Sequence, residues 1–474
     1  MTPAQPSSGG PADVAGGGIL RKSGAAPAVP YNAGQGQCRE LPHRSSAGQM
    51  DPKQRERGRA FRPPAMSRLV LLLAKSLFLP WCMERASGEL RVQVDDADLA
   101  VLRALAGRRV LLLPNHPTHV DPVVMLEVAR RARQDWYFPA AREVFAWNLG
   151  LRGWVFQRCG VYSVIRGAVD RRSFAMTQQI LVEGRHPLVI YIEGEVSLEN
   201  DTLIPFEPGV LQLALRAQET LRDGSAAADD GSIAVVPVAM KTFYAPGIEH
   251  VPAEAVPALE RAVGVAPAAR FTSWPALRAR LVAIGAALIA TVERELAMAG
   301  RAELPMAERI ARRKARLLAR MEAYLDLAAR GSLLDRIRAV RNRMDRITHT
   351  YDDISELSPY ERTRLESRRR AFVQFERDLG RLVTFLTLEG RYLNAGDPPE
   401  RFAEVVIRLE QEVFGSQRLK AARSAVVRIG ALLELGAHLA AYREGRKETA
   451  TALAARLESA VSDMLRQMRP APSP

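Results

Sequence analysis

Between residues 89 and 240, short β-branched or leucine-rich runs alternate with helical patterns, and this alternation limits the fold more than any other feature. The runs are "ELRVQV", "RRVLLL", "GVYSVI", "PLVIYIE" and "IAVVPVAM"; among them lie "DPVVMLEVARRARQ", "VDRRSFAMTQQILVEG" and "GVLQLALRAQETL". A run apolar at consecutive positions suits a strand covered on both faces, because successive side chains of a strand point to opposite sides. Helices placed between such strands cover those faces. The pattern predicts an α/β domain with a mostly parallel central sheet flanked by helices.

After about residue 250 the strand texture gives way to charged, alanine-rich helices such as "LRARLVAIGAALIATVEREL" and "MAERIARRKARLLARMEAYLDLAARG". "SPYE" (358–361) and "DPPE" (397–400) read as helix starts: a short polar cap, proline at the first helical position, and a glutamate able to reach back. Phe372, Phe375, Leu379, Leu382 and Leu386 repeat at 3-4-3-4 spacing, which suits a coiled-coil seam or the core of an antiparallel helical bundle. One strand-like piece, "SAVVRIG" (424–430), then returns. A lone strand in a helical bundle would leave buried backbone groups unpaired, so it is expected to rejoin the first sheet. The chain thus divides into an N-terminal segment, 1–65; a candidate interfacial helix, 66–84; an α/β domain, 85–250, rejoined by 421–440; a helical insertion, 251–420; and a polar C-terminal helix and tail, 441–474.

Composition narrows the class of partner. The formal net charge is +14 across 474 residues, with arginine well ahead of lysine. Such a balance attracts polyanions: nucleic acid, anionic lipid or phosphorylated substrates. Basic runs such as "RIARRKARLLAR" (309–320) fit an anionic lipid surface or a solvated helix face. No RNA-binding, zinc-finger or helix-turn-helix signature accompanies them, so no nucleic acid is expected. Cys38, Cys82 and Cys159 are too few and too scattered for a disulfide framework or a zinc site. The first 65 residues are rich in Gly, Pro and Ser and offer little apolar surface to offset chain entropy, so they read as disordered. "MSRLVLLLAKSLFLPWCM" (66–83) is apolar but shorter than the about 20 residues a bilayer span requires, and Lys75 interrupts it. It suits a helix lying in the headgroup zone, or one packed on the domain's own core.

"LLLPNHPTHVDPVVML" (111–126) concentrates reactive groups at the end of an apolar run. "RRVLLLPNH" reads as a buried strand ending in a turn, and "DPVVMLEVARR" as a helix with Asp121 at its N-cap and Pro122 at N1. His116 and Asp121 then straddle a strand-to-helix turn. A carboxylate on one ring nitrogen would fix the tautomer and leave the other nitrogen as a base near neutral pH. Taken alone, the stretch also allows a plain helix cap or a metal site formed by His116, His119 and Asp121. The metal reading fits worst: the gap between the histidines is wrong for a binuclear hydrolase run, and the other histidines of the chain's seven are not clustered.

Three later stretches follow in order. "GVYSVIR" runs from Gly160 to Arg166, "YIEGEVS" from Tyr191 to Ser197, and "VVPVAM" centres on Pro237, a proline ending an apolar strand. With His116–x4–Asp121, these blocks resemble the glycerolipid acyltransferases, the 1-acylglycerol-3-phosphate acyltransferase family. "DTLIPFEPGVLQLAL" is similar to the family's Phe-x-x-Gly approach to the next helix. "VVRIGALLEL" resembles its closing strand and turn, with Ala431 and Leu432 in place of the usual acid and proline. The resemblance covers about residues 85–245 and 424–436.

It implies that His116 is the general base on an acceptor hydroxyl and that Asp121 orients it. The acyl donor would be a co-substrate thioester, acyl-CoA or acyl carrier protein, with no further cofactor and no metal. Backbone amides near the third block would stabilise the oxyanion. Arg166, in the block opened by Gly160, would bind the acceptor's phosphate, with Arg142 as a further candidate; Glu193 and Gly194 would shape the acceptor site, and Pro237 marks the fourth block. His119 has no role in the motif. Ile192 stands where the family has proline, Val196 where it has arginine, and Glu195 adds an acid that would repel phosphate. The acceptor is read as a glycerolipid hydroxyl, that of lysophosphatidic acid or another lysophospholipid; these departures count against lysophosphatidic acid and leave another lipid alcohol or amine open. The resemblance also implies phospholipid synthesis at an anionic membrane surface, with the protein peripheral on the cytoplasmic side. A non-catalytic lipid-binding scaffold is the alternative that Ile192 and Val196 favour and that intact His116, Asp121 and Arg166 oppose.

Overall fold

A computed structural model describes residues 61–86, 89–146, 151–165, 170–224, 231–244, 250–267, 273–296, 303–349, 357–387, 397–415, 417–418 and 422–469. The expected disorder of residues 1–60 and the expected role of Arg166 lie outside the described residues. The central sheet contains β1 (Leu90–Val94), β2 (Val110–Pro114), β5 (Leu188–Val189), β6 (Ala234–Tyr244), β7 (Arg423–Ile429) and β8 (Leu433–Glu434). Its order is β1-β7-β6-β2-β5, with β8 also beside β6. The β1–β7, β6–β2 and β2–β5 pairs are parallel, and β6 runs antiparallel to β7 and β8. The fold is α/β with a mostly parallel sheet.

Burial follows the two-residue period of the strands. Leu111 and Leu113 of β2 face one core with Val235 and Ala239 of β6, while Val110 and Leu112 face the other with Ala234, Val236 and Val238. The first core is closed by α5 (Arg171–Glu183), α6 (Pro208–Gly224) and α14 (Arg446–Gln467); the second by α2 (Asp96–Ala104) and α3 (Asp121–Ala132). The last helix, α14, is more than a polar appendage: Ala450, Leu453, Leu457, Val461 and Leu465 are buried against the sheet domain. Its many charges occupy the opposite face, which masks the apolar stripe when only composition is considered.

β7 joins the sheet between β1 and β6, as the cost of unpaired backbone requires. β6 does not end at Pro237 but continues to Tyr244. Pro237 is tolerated in mid-strand because one edge of β6 changes partners there. β8 pairs with residues 234–235 and β7 only from Val238 onward. The missing N–H therefore breaks no ladder bond, while the Pro237 carbonyl still accepts from Gly430 N–H at 2.9 Å.

"GVYSVI" yields β4 (Val161–Val164), but this strand pairs with β3 (Phe138–Ala141) in a small parallel sheet rather than entering the main one. A single bridge between Tyr137 and Leu188 joins that sheet to β5. Residues 61–65, placed by composition in the disordered segment, lie along β4: Ser163 N–H donates to Arg62 O at 2.9 Å, and Ala65 N–H to Gln157 O at 2.8 Å.

Helix α1 (68–86) continues through π-helical turns at Ala74–Phe78 and Cys82–Ala86. Leu71, Ala74, Leu79 and Cys82 are buried, whereas Leu69, Leu72, Leu73, Leu77, Phe78 and Trp81 are exposed. Lys75 does not face the exposed side. Its ammonium donates to Gln134 O at 2.8 Å and pairs with Asp135 at 2.5 Å.

The insertion forms a helical bundle of α7 (His250–Val263), α8 (Trp274–Glu295), α9 (Met306–Leu325), α10 (Leu333–His349), α11 (Pro359–Thr387) and α12 (Pro399–Phe414). Phe372, Phe375, Leu379 and Leu382 of α11 meet Leu317, Leu318 and Met321 of α9 in the bundle core; the side chain of Leu386 lies outside the described residues. The "SPYE" capping box forms, with Ser358 N–H donating to Glu361 at 2.9 Å and Glu361 N–H to Ser358 Oγ at 3.3 Å. "DPPE" caps differently. α12 starts at Pro399, and Asp397 accepts instead from Arg401 at 3.1 Å.

Part of the basic run 309–320 is consumed inside the bundle, while Arg312 and Arg316 are exposed. Arg309 and Arg313 pair with Glu293 at 2.8 and 2.6 Å, and Arg320 pairs with Asp378. Among the described helices α8 is long and apolar enough to cross a membrane by length and composition. Its Leu277, Leu281 and Ile284 instead pack against Phe402, Val405 and Val406 of α12.

Candidate active site

The site forms where β2 ends and the chain must turn into α3. β6 runs on past the end of β2, and its outer backbone groups need partners on that side. Two asparagine side chains supply them. Asn115 accepts from Met240 N–H at 2.7 Å and donates to Met240 O at 3.0 Å; Asn200 does the same for Thr242 at 2.8 and 3.0 Å. Each amide stands in for one residue of an absent strand. Both are buried, so the pairing anchors the loops that follow 115 and precede 200.

His116 follows directly. Its Nδ1 lies 2.7 Å from Asp121 Oδ2. Asp121 is nearly inaccessible, while the His116 side chain is 15 % exposed, and Nε2 has no hydrogen-bond partner among the described residues. An ionised carboxylate can only accept, so Nδ1 carries the proton and Nε2 holds the lone pair. Asp121 is the first residue of α3 rather than its N-cap, and its carboxylate turns backward. Oδ2 also accepts from Thr118 N–H at 2.9 Å, and Oδ1 from the Thr118 hydroxyl. Thr118 thus locks the orienting carboxylate. The signal for it was the Thr-x-x-Asp spacing, which resembles an N-terminal cap and was not read as part of the site.

The third block wraps around His116. Only Leu188 and Val189 of "PLVIYIE" are strand; the chain then leaves the sheet and turns. The Tyr191 ring stacks on the His116 imidazole at a centroid distance of 4.1 Å and 19° between planes. Its hydroxyl is buried without a hydrogen-bond partner among the described residues, and burial together with the charge of Asp121 pushes its pKa well above the ordinary phenol value. Glu193 is fully buried. It accepts from His116 N–H at 2.6 Å and from Ile204 N–H at 2.7 Å, and burial pushes its pKa up to about 7 despite those two donors. The Ser197 N–H returns to His116 O at 2.9 Å, and Gly194 N–H closes a turn on Tyr191 O at 3.0 Å. Those two amides are therefore committed to the turn and not to an oxyanion.

This arrangement is an imidazole held by a carboxylate, a ring and two backbone bonds, on a loop between strand and helix. Residues 92–241 match the family model described as Acyltransferase. They form an acyltransferase-family domain. No curated protein matches the chain.

Within the acyltransferase domain, the structure brings together His116, Asp121 and Glu193 but gives Glu193 a tethering position rather than an open wall. Gly194 is exposed, at φ +73°. Gly160 is buried at φ +84°, and a Cβ there would lie 2.6 Å from the Met66 side chain and 2.9 Å from Trp136 O, so it serves a tight turn. Pro237 is likewise buried in β6. Arg142 is half-buried and opens the 3₁₀ turn Arg142–Ala146 after β3, with β5 standing between that strand and β2. His119 is exposed and lines a small, solvent-open pocket with Pro117, Val120, Leu198 and Ile407. Among the described residues no group of three His, Cys, Asp or Glu side chains is placed to hold a metal ion.

Proposed function

We propose that the chain transfers a fatty acyl group from a thioester, acyl-CoA or acyl carrier protein, to the hydroxyl of a lysolipid at a membrane surface. The observation that carries this reading is the His116–Asp121 pair at 2.7 Å, with Nε2 lacking a partner among the described residues. In the proposed step the acceptor hydroxyl gives its proton to Nε2 as its oxygen attacks the thioester carbonyl. The tetrahedral intermediate then expels the thiolate, which takes the proton back from the imidazolium, so the enzyme ends unchanged. Asp121 stabilises the imidazolium, and the stacked Tyr191 ring favours the same charged state through its π face.

Membrane contact is supported by the face of α1 that carries exposed Leu69, Leu72, Leu73, Leu77, Phe78 and Trp81. Exposed Leu151 and Trp154 of α4 (Leu151–Arg158) extend the set, and the two helices touch. Exposed apolar side chains grouped in this way mark an interaction surface, and an amphipathic helix in the headgroup zone bears such a face. With Lys75 anchored to Asp135, the apolar side is free of charge at its centre.

The test is transfer of labelled acyl groups from both carriers to a panel of lysolipids by the purified full chain. His116→Ala should lower the rate by roughly 10²–10⁴-fold. Transfer unchanged in His116→Ala would remove the base assignment, and transfer to no acceptor would favour the scaffold reading.

A further inference from the structure

The third block lacks the family's cation at Val196 and carries an acid at Glu195. The helical insertion brings two arginines to the same turn. Arg341 of α10 pairs through Nη1 with Glu195. Arg338, one helical turn earlier on the same face, pairs through Nη1 with Glu207 and has Asp335 at 4.0 Å. Arg338 Nη2 lies 3.8 Å from the point where a Cβ on Gly194 would stand. The turn Gly194–Val196 is flanked by Glu193 and Ser197, which bond the His116 N–H and carbonyl at 2.6 and 2.9 Å. Both guanidinium groups therefore reach the loop that holds the base.

The charge arithmetic of the turn changes as a result. Glu195, read from sequence as a repulsive acid, is matched by Arg341, and Glu207 by Arg338. Each guanidinium meets these acids through Nη1 alone, so Nε and Nη2 of both have no hydrogen-bond partner among the described residues. Both side chains are 23 % exposed. Two forked donors in partly buried positions suit the oxygens of a phosphate group, where a charge-assisted, bidentate bond is strongest.

We infer that Arg338 and Arg341 form a phosphate subsite of the acceptor-binding site, supplied by the insertion in place of the missing block-three arginine. The inference rests on the proposed acyl transfer and assigns its acceptor: a lysolipid bearing a phosphate, recognised jointly by the acyltransferase domain and α10. Glu195 is then a competitor that moderates the subsite's affinity.

Equilibrium calorimetry on the full chain, without donor, tests this with three soluble probes: hexanoyl lysophosphatidate, hexanoylglycerol and CoA. Arg338→Gln combined with Arg341→Gln should weaken lysophosphatidate binding about tenfold or more, the loss expected for a charged hydrogen bond, and leave hexanoylglycerol unchanged. Glu195→Gln, by removing the competitor, should tighten lysophosphatidate binding; a turn held only by ion pairs would loosen instead. Equal losses for both lipids, weaker binding in Glu195→Gln, or an effect confined to CoA would each overturn the assignment, the last by giving the arginines to the donor's phosphates. His116→Ala separates the two levels. It should lower transfer by roughly 10²–10⁴-fold and keep lysophosphatidate binding, so a failed base assignment leaves the binding result standing.

Discussion

Replacing Glu193 by glutamine probes the joint between the first and third blocks. The wild-type carboxylate is fully buried and accepts two backbone N–H groups, from His116 at 2.6 Å and Ile204 at 2.7 Å. Glutamine has one acceptor oxygen. Its NH₂ must face the second N–H, which loses one bond to a charged acceptor and strands a buried donor. Together these cost about 2–4 kcal/mol at pH 8. The cost is pH-dependent, and its sign can be worked out. The folded-state pKa of Glu193 is raised from an ordinary 4.5 to about 7 by burial. Below pH 4.5 both states hold the proton; between 4.5 and 7 the unfolded chain releases it while the folded chain keeps it. Stability from this group is thus full below 4.5 and is lost as pH rises through 7. At about 1.4 kcal/mol per pH unit, the whole window amounts to about 3 kcal/mol. Glutamine has no such titration, so the gap between wild type and Glu193→Gln should widen as pH falls from 8 to 5. Urea unfolding of both proteins at pH 5, 6, 7 and 8 reads this directly, and taking the difference cancels the titration of other groups. A gap that is flat or narrows toward acid would refute the reasoning.

Asn115→Ala should destabilise the chain by about 2–4 kcal/mol in urea titration, because both backbone groups of Met240 lose their buried partner. Tyr191→Phe should keep the rate and the thermal midpoint, since the hydroxyl has no hydrogen-bond partner among the described residues. Tyr191→Leu removes the ring from His116 and should lower the rate and shift the acidic limb of the pH–rate profile. Leu72→Glu with Leu77→Glu, both on the exposed face of α1, should cut flotation with anionic vesicles severalfold and leave the melting temperature within a few degrees.

Much of the sheet was legible because fully buried strands leave consecutive apolar residues, as in "RRVLLL" and "IAVVPVAM". The return of "SAVVRIG" to the sheet followed from the need to pair buried backbone, a rule that operates at any sequence distance. The His116–Asp121 pair was legible because five residues across a strand-to-helix turn place two side chains together by local geometry alone. β3 was not, being four residues with a proline and little alternation. The full length of β6 was hidden by Pro237, whose cost depends on whether a neighbouring strand needs its N–H. The apolar stripe of α14 was hidden by the charges on its other face.

The sequence by itself determined the fold class, through the alternation of apolar runs and helical patterns, and the His116–Asp121 pair, through spacing within one short segment. Tertiary structure alone decided the other relations. Glu193 became a buried tether, Asn115 and Asn200 became substitutes for a missing strand, and Lys75 turned inward to Asp135. It also set Arg338 and Arg341 against a turn more than 140 residues earlier, so that the acid at 195 is neutralised rather than repulsive. The physical reason is that a charge or an amide acquires its role from its partner and its burial, and those are properties of the packed chain.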